Sequence, residues 1–390
     1  MTDSHGRIGY AHSNKQNKLS TNHSFRLASF GVPKMKEYVS KNIDHFKQIL
    51  KYNKQKGIKI FRIGSDFIPF ASHESMTKLI PKWDWRKYFA VQLKHIGQNL
   101  IKDQGFRVSM HPDHYCLVNS NDVQVVKKSL DELNYHIDLF EAMNLDASHK
   151  IIINLGGVYK DKSASMDRFI NQYKSFPDRF KKHVVIENDD HLYSLDDCMY
   201  INEKCGVPVS LNTFHHECYN TNGDTLRQAF LRSSYTWNLN IDGSPIVSYS
   251  SQNDQEDTRR GANSETLDVE HFKKTICEWL MRAEDCHGYV LFDLIIETRD
   301  REMSALLGYT LMSDYHKQNR IDGAVKEFSQ EELEEESQHV VEQAILSERE
   351  VTSGLKIKLT TPSKKRTCSG KILEKSPTTK RIKLDCMDPE

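Results

Sequence analysis

The segment His183-Val-Val-Ile-Glu187 is a short apolar run that stops at a carboxylate, and seven similar runs recur in the first three hundred residues. The eight runs cover residues 7–10, 58–63, 106–111, 151–155, 183–187, 207–212, 245–249 and 289–297. Four runs end at a histidine, a glutamate or an asparagine, and two more have an asparagine or a serine one position before their end: His111, Glu187, Asn212 and Glu297, then Asn154 and Ser248. Short apolar runs of this length are typical of buried strands.

Amphipathic stretches separate most of these runs. Their apolar residues recur at three- and four-residue steps, which predicts helices over residues 35–54, 85–101, 123–143, 166–176, 195–205, 225–231 and 269–283. Parallel strands require crossover connections of about a dozen residues or more. The alternation therefore predicts an α/β fold, a (β/α)8 TIM barrel, in which side chains at the C-terminal ends of the strands converge on one face.

The length of 390 residues allows one barrel of about 250 residues or more and an appended segment. We expect the barrel in residues 1–320, an acidic helical segment in residues 321–351, and a basic tail in residues 352–390 that is too polar to order. No long apolar stretch or signal-peptide core is present, so we expect an intracellular protein that does not enter membranes. We also expect a monomer. Eight cysteines without a C-x-x-C pair fit reduced thiols.

Polar residues at the strand ends supply possible metal ligands. Imidazoles and carboxylates from different strands can bind divalent ions, and a carboxylate can bridge two of them. Glu187 and Glu297 each end an apolar run, where burying an unpaired carboxylate is costly, so a cation or hydrogen-bond donors must meet them. A lone histidine such as His73 is more often an ordinary hydrogen-bonded residue, and the pair His215-His216 is a weak signal by itself. Their common face predicts a multinuclear metal site.

Five motifs then stand in order along the chain: Arg7-x-Gly-Tyr10, Arg62-Ile-Gly-Ser-Asp-Phe-Ile-Pro-Phe-Ala-Ser-His73, Arg107-Val-Ser-Met-His-Pro112, Gly156-Gly-Val-Tyr159 and Glu187-Asn-Asp-Asp190. On these motifs the chain resembles the UV-damage endonuclease family, metal-dependent TIM-barrel enzymes that nick DNA immediately 5′ of a lesion. The resemblance implies damaged double-stranded DNA as substrate. It also implies two or three divalent ions, with Mn²⁺ expected and Mg²⁺ or Zn²⁺ as alternatives.

The resemblance also implies roles for individual residues. The implied metal ligands are His73, His111, Glu187, His215 and Glu297, and the two glutamates are the expected catalytic groups. The implied lesion-binding residues are Tyr10, Asn14, His114 and Tyr115, although the family usually has Gln where this chain has His114. Aromatic wedges can replace the stacking that is lost when a damaged pair is extruded.

Several family ligands are substituted in this chain. Asn154 stands where the family has a histidine, Asn212 where it has an aspartate, and Ile246-Val-Ser248 where it has Lys-x-His. A further expected histidine falls at Gly261-Ala-Asn263. Asparagine oxygen can ligate hard ions but carries no charge, so Asn154 and Asn212 are expected to bind metal weakly. Two alternatives follow: a catalytically weakened protein that binds damaged DNA, and a sugar isomerase, since some isomerases share the barrel and a His/Glu metal site.

The tail carries two basic clusters. Pro377-Thr-Thr-Lys-Arg-Ile-Lys-Leu-Asp385 resembles the nuclear-import signal of the Myc transcription factor, and its basic residues are Lys380, Arg381 and Lys383. Lys364, Lys365 and Arg366 form the second cluster. An exposed basic peptide can bind an import receptor, which predicts a nuclear protein. The alternative is a polycation that strengthens contact with DNA phosphates.

We predict that residues 352–390, fused to a fluorescent reporter, carry the reporter into the nucleus, because the basic clusters would be read by an import receptor. Fluorescence microscopy of transfected cells measures this. A reporter that stays cytoplasmic would contradict the import assignment and leave DNA contact as the role of the basic residues.

Overall fold

The computed structural model describes residues 6–253, 258–285 and 288–319. The acidic segment 321–351, the tail 352–390 and the import-like clusters lie outside these residues, so the predictions made for them stay predictions. Cys116, Cys198, Cys205, Cys218 and Cys277, all within the described ranges, are free thiols. None of the helices in these ranges combines the length and apolar character that crossing a bilayer requires.

Eight parallel strands close into a barrel, as predicted. They are β1 Ile8–Ala11, β2 Ile60–Ile63, β3 Arg107–Met110, β4 Lys150–Asn154, β5 Val184–Glu187, β6 Val209–Asn212, β7 Ile246–Tyr249 and β8 Asp293–Ile296. Each strand pairs with its neighbours in chain order, and β1 pairs with β8 to close the ring. The TIM-barrel prediction is confirmed. The last predicted run, residues 289–297, was longer than the strand β8. Its first residue belongs to Gly288–Tyr289, which pairs with Glu284–Asp285 in a separate two-stranded hairpin.

Helices fill the connections between the strands. The longer ones are Val32–Lys56, Val123–Ala142, Lys162–Lys174, Leu195–Cys205, Leu226–Ser234 and Glu302–Asn319. Short helices are Glu74–Leu79, Trp85–Tyr88, Ala90–His95, Asp178–Lys181, Thr213–Cys218, Leu239–Asp242 and Val269–Phe272. Two predicted helices, over residues 85–101 and 269–283, begin as short α-helices and continue as the π-helical segments Ile96–Ile101 and Lys273–Leu280.

Two hydrophobic clusters divide the core. The smaller one lies inside the barrel and consists of Ile60, Ile152, Val185, Trp237, Ile246 and Ile295. The larger one lies between the strands and the helices and includes the alternate strand residues, such as Phe61, Ile153 and Ile186. Because successive side chains of a strand point to opposite faces, the residue two positions after each interior apolar residue also points inward. This alternation determines which strand-end residues enter the barrel mouth, by which we mean its C-terminal end.

Charged residues line the opposite, N-terminal end of the barrel. The Arg107 guanidinium donates to Asp293 Oδ2 at 2.8 Å, and Arg7 reaches the same carboxylate at 3.0 Å. Lys150 Nζ lies 2.5 Å from Asp242 Oδ1. Arg107 and Asp293 are almost fully buried, and burial lowers the pKa of Arg107 although Asp293 opposes the shift. A buried ion of this kind is tolerated only while its partner is present.

Replacing Asp293 with Asn is therefore expected to lower the free energy of unfolding by about 3 to 5 kcal/mol, because Arg107 would keep its buried charge without a counter-ion. Urea denaturation followed by circular dichroism measures the change. The control is Asp44→Asn, since Asp44 is exposed and only forms a surface pair with Lys47. If the Asp293→Asn protein were as stable as the control, Asp293 would not be needed to compensate the buried charge of Arg107 at the N-terminal end of the barrel.

Candidate active site

The barrel mouth is lined by the polar strand residues that the alternation turns inward. Arg62 follows Ile60 by two positions, Asn154 follows Ile152, Glu187 follows Val185 and Ser248 follows Ile246. Glu297 follows Ile295 in the same way at the end of β8. Polar groups from several strands thus meet in one layer above an apolar interior, which is where TIM-barrel enzymes have their active sites.

Glu187 lies at the centre of this layer and is only 2% exposed. Ser248 Oγ donates to its Oε1 at 2.8 Å, and the Nε2 atom of His111 lies 3.8 Å from its Oε2. Burial alone raises the pKa of Glu187, but His111, Arg62 and His215 together outweigh it and lower the pKa to about 2. Glu187 is therefore an ionised carboxylate at neutral pH.

Glu297 is bound by two residues of the same layer. Arg62 Nη1 forms an ion pair with its Oε1, and Asn212 Nδ2 donates to its Oε2 at 3.3 Å. The second terminal nitrogen of Arg62 donates to Ser248 Oγ at 3.1 Å. Arg62, Ser248 and Asn212 consequently connect the two glutamates in one hydrogen-bonded network. From the sequence we expected a cation or hydrogen-bond donors to meet these two carboxylates. The protein itself supplies some of those donors.

His111 and His215 have the same tautomer, which leaves one ring nitrogen available. The Nδ1 atom of His111 bonds the carbonyl oxygen of Pro112 at 2.9 Å, and the Nδ1 atom of His215 bonds that of Asn188 at 2.9 Å. A carbonyl oxygen can only accept, so each Nδ1 carries a hydrogen. In the neutral ring Nε2 then has a lone pair for a metal ion, and in the protonated ring, the form that lowers the pKa of Glu187, Nε2 carries a second hydrogen. Histidines that bind metal ions are oriented by bonds of this kind.

Asn154 adds an oxygen without a partner. It pairs in register with Glu187 on the neighbouring strand. Its Oδ1 atom is buried and has no hydrogen-bond partner among the described residues. Buried polar atoms are nearly always bonded, so an amide oxygen facing a carboxylate from the next strand fits a site for a hard cation.

Asn212, by contrast, has both ends of its amide engaged by protein groups. Its Oδ1 atom accepts from the backbone nitrogen of His215 at 3.1 Å and caps the helix Thr213–Cys218. Its Nδ2 hydrogens point at Glu187 and Glu297, at 3.5 and 3.3 Å. The amide thus presents donors to the site while its oxygen accepts a backbone bond, and the assignment of Asn212 as a metal ligand stays a prediction.

His73 is not joined to the network by any contact among the described residues. It caps the helix Glu74–Leu79, and its Nδ1 atom accepts from the backbone nitrogen of Ser75 at 3.1 Å. The neutral ring therefore carries its hydrogen on Nε2, the reverse of the arrangement at His111 and His215. Its assignment as a ligand stays a prediction.

The distances at Glu187 are compatible with a shared ion. Two ligand atoms that bind one ion at about 2.1 Å each lie roughly 3 to 4 Å apart, and the 3.8 Å between His111 Nε2 and Glu187 Oε2 falls in that range. Among the described residues, three His, Cys, Asp or Glu ligand atoms come within 4.8 Å of one another only at Asp189, Asp190 and His191. The five predicted ligands do not form such a cluster, and their joint assignment stays a prediction.

The Asp189 to His191 cluster is bonded mainly to protein groups. Asp189 Oδ1 accepts backbone bonds from His191, Leu192 and Tyr193 at 2.5 to 2.9 Å. Asp190 pairs with His191 Nδ1 at 2.6 Å and with Arg259 at 3.1 Å. These contacts organise the loop after β5, so we assign it a structural role.

The lesion-binding predictions divide into two pairs. His114 and Tyr115 are exposed in the loop after β3, with Tyr115 at 55% exposure, and His114 borders a cavity of about 250 Å³ shared with Asn154 and His215. Tyr10 and Asn14 are fully buried.

Tyr10 lies away from the barrel mouth in this structure, and its assignment as a wedge stays a prediction. Its ring packs outside the barrel against Phe61, and its hydroxyl donates to Asn53 Oδ1 at 2.8 Å and accepts from Asn14 at 3.1 Å. Asn14 Oδ1 in turn accepts from Asn17, which shapes the exposed turn after β1. A wedge needs an exposed ring. Strand alternation was the signal for this, because Tyr10 shares the face of Ile8 rather than that of Gly9 and Ala11.

Comparison with known proteins places these features in a family. Residues 11–331 match the family described as UV-endonuclease UvdE. The UV DNA damage endonuclease of Clostridium perfringens (strain 13 / Type A) is 32% identical over 311 residues, which cover 80% of this chain and 72% of that protein. The crystal structure of SacUVDE is similar with a TM-score of 0.70 at 31% identity, covering 81% of this chain and 100% of that one.

A structure of L-ribulose 3-epimerase also matches, with a TM-score of 0.50 at 14% identity over 83% of this chain and 100% of that one. That likeness shows the barrel fold alone. The family match spans most of the chain and includes the strands that carry both glutamates and both oriented histidines. This chain therefore belongs to the UV-endonuclease UvdE family.

Proposed function

We propose that this protein nicks the phosphodiester backbone of damaged double-stranded DNA on the 5′ side of a UV photoproduct or another lesion by metal-assisted hydrolysis. The observation that carries the proposal is the layer at the barrel mouth. There the ionised Glu187 lies 3.8 Å from the Nε2 atom of His111, and a second glutamate lies in the same network. Family membership supports the same reaction class.

Divalent ions, with Mn²⁺ as our first choice, would be held by Glu187, His111, His215 and the free oxygen of Asn154, with Glu297 and His73 as further candidates. When bound, such ions lower the pKa of a water molecule and neutralise charge on a phosphate. Pro112 and Asn188 orient the two imidazoles through their carbonyl oxygens. Arg62 and Asn212 hold Glu297 at the edge of the layer.

Lesion recognition is proposed for His114 and Tyr115. Both side chains are exposed in the loop after β3, and His114 borders the cavity at the mouth, so they can contact a duplex without rearrangement of the barrel. A damaged base pair costs less to extrude than an intact one, and an aromatic ring can stack in the space that it leaves. Nuclear import remains part of the proposal on the tail motif alone.

A second candidate is a protein that binds damaged DNA and cuts it slowly or not at all. Arg62 already neutralises Glu297, and Ser248 already bonds Glu187, so each carboxylate has a protein donor that competes with a cation. Asn154 and Asn212 add no charge. The sugar isomerase alternative has only the shared fold in its favour, at 14% identity.

Nicking should require Glu187. We expect the full-length protein with Mn²⁺ to cut a duplex that carries one pyrimidine dimer, and Glu187→Gln to reduce the rate by about 10²- to 10³-fold, the effect of losing several kcal/mol of charge stabilisation. Gel analysis of a labelled oligonucleotide measures the nick. The control is Glu270→Gln, because Glu270 is 84% exposed and pairs only with Lys273.

The outcomes of this experiment separate the two candidates. A wild-type protein that shifts the lesion duplex on a native gel but yields no cut strand at any Mn²⁺ concentration would establish the non-cutting protein. A wild-type protein that neither binds nor cuts would contradict both. Equal rates for Glu187→Gln and wild type would remove Glu187 from the chemistry.

Ser248 is expected to limit metal affinity. A hydrogen bond to a charged group contributes about 1.5 to 3 kcal/mol, so Ser248→Ala should free Glu187 Oε1 and raise Mn²⁺ affinity by roughly tenfold. Calorimetric titration of Mn²⁺ measures the change. Ser251→Ala is the matched control, because Ser251 is also buried but bonds Ser264 instead. A weaker affinity in Ser248→Ala would show that Ser248 positions Glu187 rather than competing with the ion.

A further inference from the structure

Two loops at the barrel mouth meet beside Glu297. His12 directly follows β1, and its backbone nitrogen donates to the carbonyl oxygen of Arg62 at 2.8 Å. Arg301 lies four residues beyond Glu297. The loops are joined by Glu302, whose carboxylate accepts from the backbone nitrogens of Lys15 and Gln16 at 2.9 and 2.6 Å.

His12 and Arg301 both have left-handed backbones. Their φ angles are 63° and 59°. Residues other than glycine rarely adopt this conformation, and where they do they are concentrated at functional sites. His12 directly follows β1, and Arg301 lies five residues after the end of β8, so both follow strands that end at the mouth. Both residues therefore belong to the segments that border the candidate active site.

Unpartnered nitrogen atoms are concentrated at this position. Nε2 of His12, Nε of Arg62 and Nε of Arg301 are all buried, and none has a hydrogen-bond partner among the described residues. Buried donors in folded proteins are nearly always bonded. Three unpartnered nitrogens on residues from adjoining segments indicate an acceptor that the protein itself does not supply.

The charges nearby favour an anion as that acceptor. Arg62 is paired with Glu297, whereas the guanidinium of Arg301 forms no hydrogen bond or ion pair within the part of the chain that the structure describes. The carboxylates that flank Arg301 in sequence are used elsewhere: Asp300 accepts from two hydroxyl groups, and Glu302 accepts from the two backbone amides of the β1 loop. Within the described residues, Arg301 therefore has no ion pair of its own, and the carboxylate that acts on it most strongly, Glu297, is already paired with Arg62.

His12 adds a neutral donor to this positive charge. Burial, followed by the nearby Arg301, Arg62 and His111, lowers the pKa of His12 to about 3, so the ring is uncharged at neutral pH. A neutral imidazole could bind either a metal ion or an anion. The two guanidinium groups repel a cation, and they make donation of an N–H to an anionic oxygen the favourable use of this ring.

We propose that His12, Arg62 and Arg301 form a phosphate site, which binds the non-bridging oxygens of one phosphodiester group of the DNA strand beside Glu297. This inference rests on the proposed function, because it names how the same site holds its substrate. Guanidinium groups match phosphate oxygens with paired N–H donors, and a phosphate would satisfy nitrogens that are now unpartnered. Arg301 is thus a substrate-binding residue.

The test measures binding separately from cleavage. The affinity of the full-length protein for a fluorescent duplex with one pyrimidine dimer is determined by anisotropy in EDTA, at salt concentrations between about 50 and 200 mM. Arg301→Gln is expected to weaken binding roughly 10- to 100-fold at the lowest salt concentration. The slope of log K against log salt should fall by about 0.9, the value for one lost phosphate contact.

Two further variants make the result specific. Arg299→Gln removes a neighbouring arginine of the same loop, but Arg299 is half exposed and pairs with Glu265, so affinity and slope should stay at the wild-type values. Arg301→Lys keeps the charge and loses the paired donors, so the slope should be retained while affinity falls by a smaller factor than in Arg301→Gln. Thermal unfolding of each variant identifies any loss of fold.

Each result decides a different question. If wild type binds and Arg301→Gln keeps its affinity and slope, the phosphate site is wrong and the proposed function stands. Equal losses in Arg301→Gln and Arg299→Gln would mean a general basic surface and would also overturn the site. If wild type does not bind the lesion duplex at all, it is the proposed function that fails. If Arg301→Gln does not fold, the DNA affinities of Arg301→Lys and Arg299→Gln are compared instead. A lower affinity in Arg301→Lys alone supports the phosphate site, and equal affinities overturn it.

Discussion

Strict alternation of side chains in a closed eight-stranded barrel governs the rest of this structure. Every second strand residue must point into an interior that apolar side chains fill at its middle level. Charged side chains on the inward face can therefore lie only at the two ends. At the N-terminal end they are compensated in pairs, as between Arg107 and Asp293. At the C-terminal end the compensation is incomplete, and that end has the properties of an active site.

Incomplete compensation at the mouth has a physical meaning. Glu187 is held ionised by the imidazoles and guanidinium around it, and its shortest hydrogen bond comes from Ser248. Among the described residues, Asn154 keeps an oxygen without a donor, while His12, Arg62 and Arg301 keep nitrogens without a partner. The mouth thus has free acceptors on one side and unpartnered nitrogens on the other. That division suits a ligand that combines cations with a phosphate group.

The substitutions in this chain change the balance within the mouth. Ser248 and Asn212 occupy places where a histidine and an aspartate are expected from the family resemblance, and both now donate hydrogen bonds to the glutamates. Arg62 supplies positive charge to Glu297 directly. The carboxylates are consequently stabilised without any bound ion, so an ion must displace protein donors to reach them. The chain thus keeps the barrel of the family, while the protein donors around the two glutamates compete with any metal ion that binds there.

The amino-acid sequence by itself determined the eight strands, most of the helices and the position of polar residues at the strand ends, because hydrophobic periodicity is a local property of the chain. It also carried the motifs that indicate the family. Only the tertiary structure decided which polar atoms meet. Tyr10 faces the helices, Asn212 uses its oxygen to cap a helix, and His73 bonds within its own helix cap. Arg301 lies beside Arg62 only because β8 closes the ring through β1. Contacts of this kind depend on register, rotamer and closure, which involve residues up to almost three hundred positions apart in the chain and are not encoded in any local pattern.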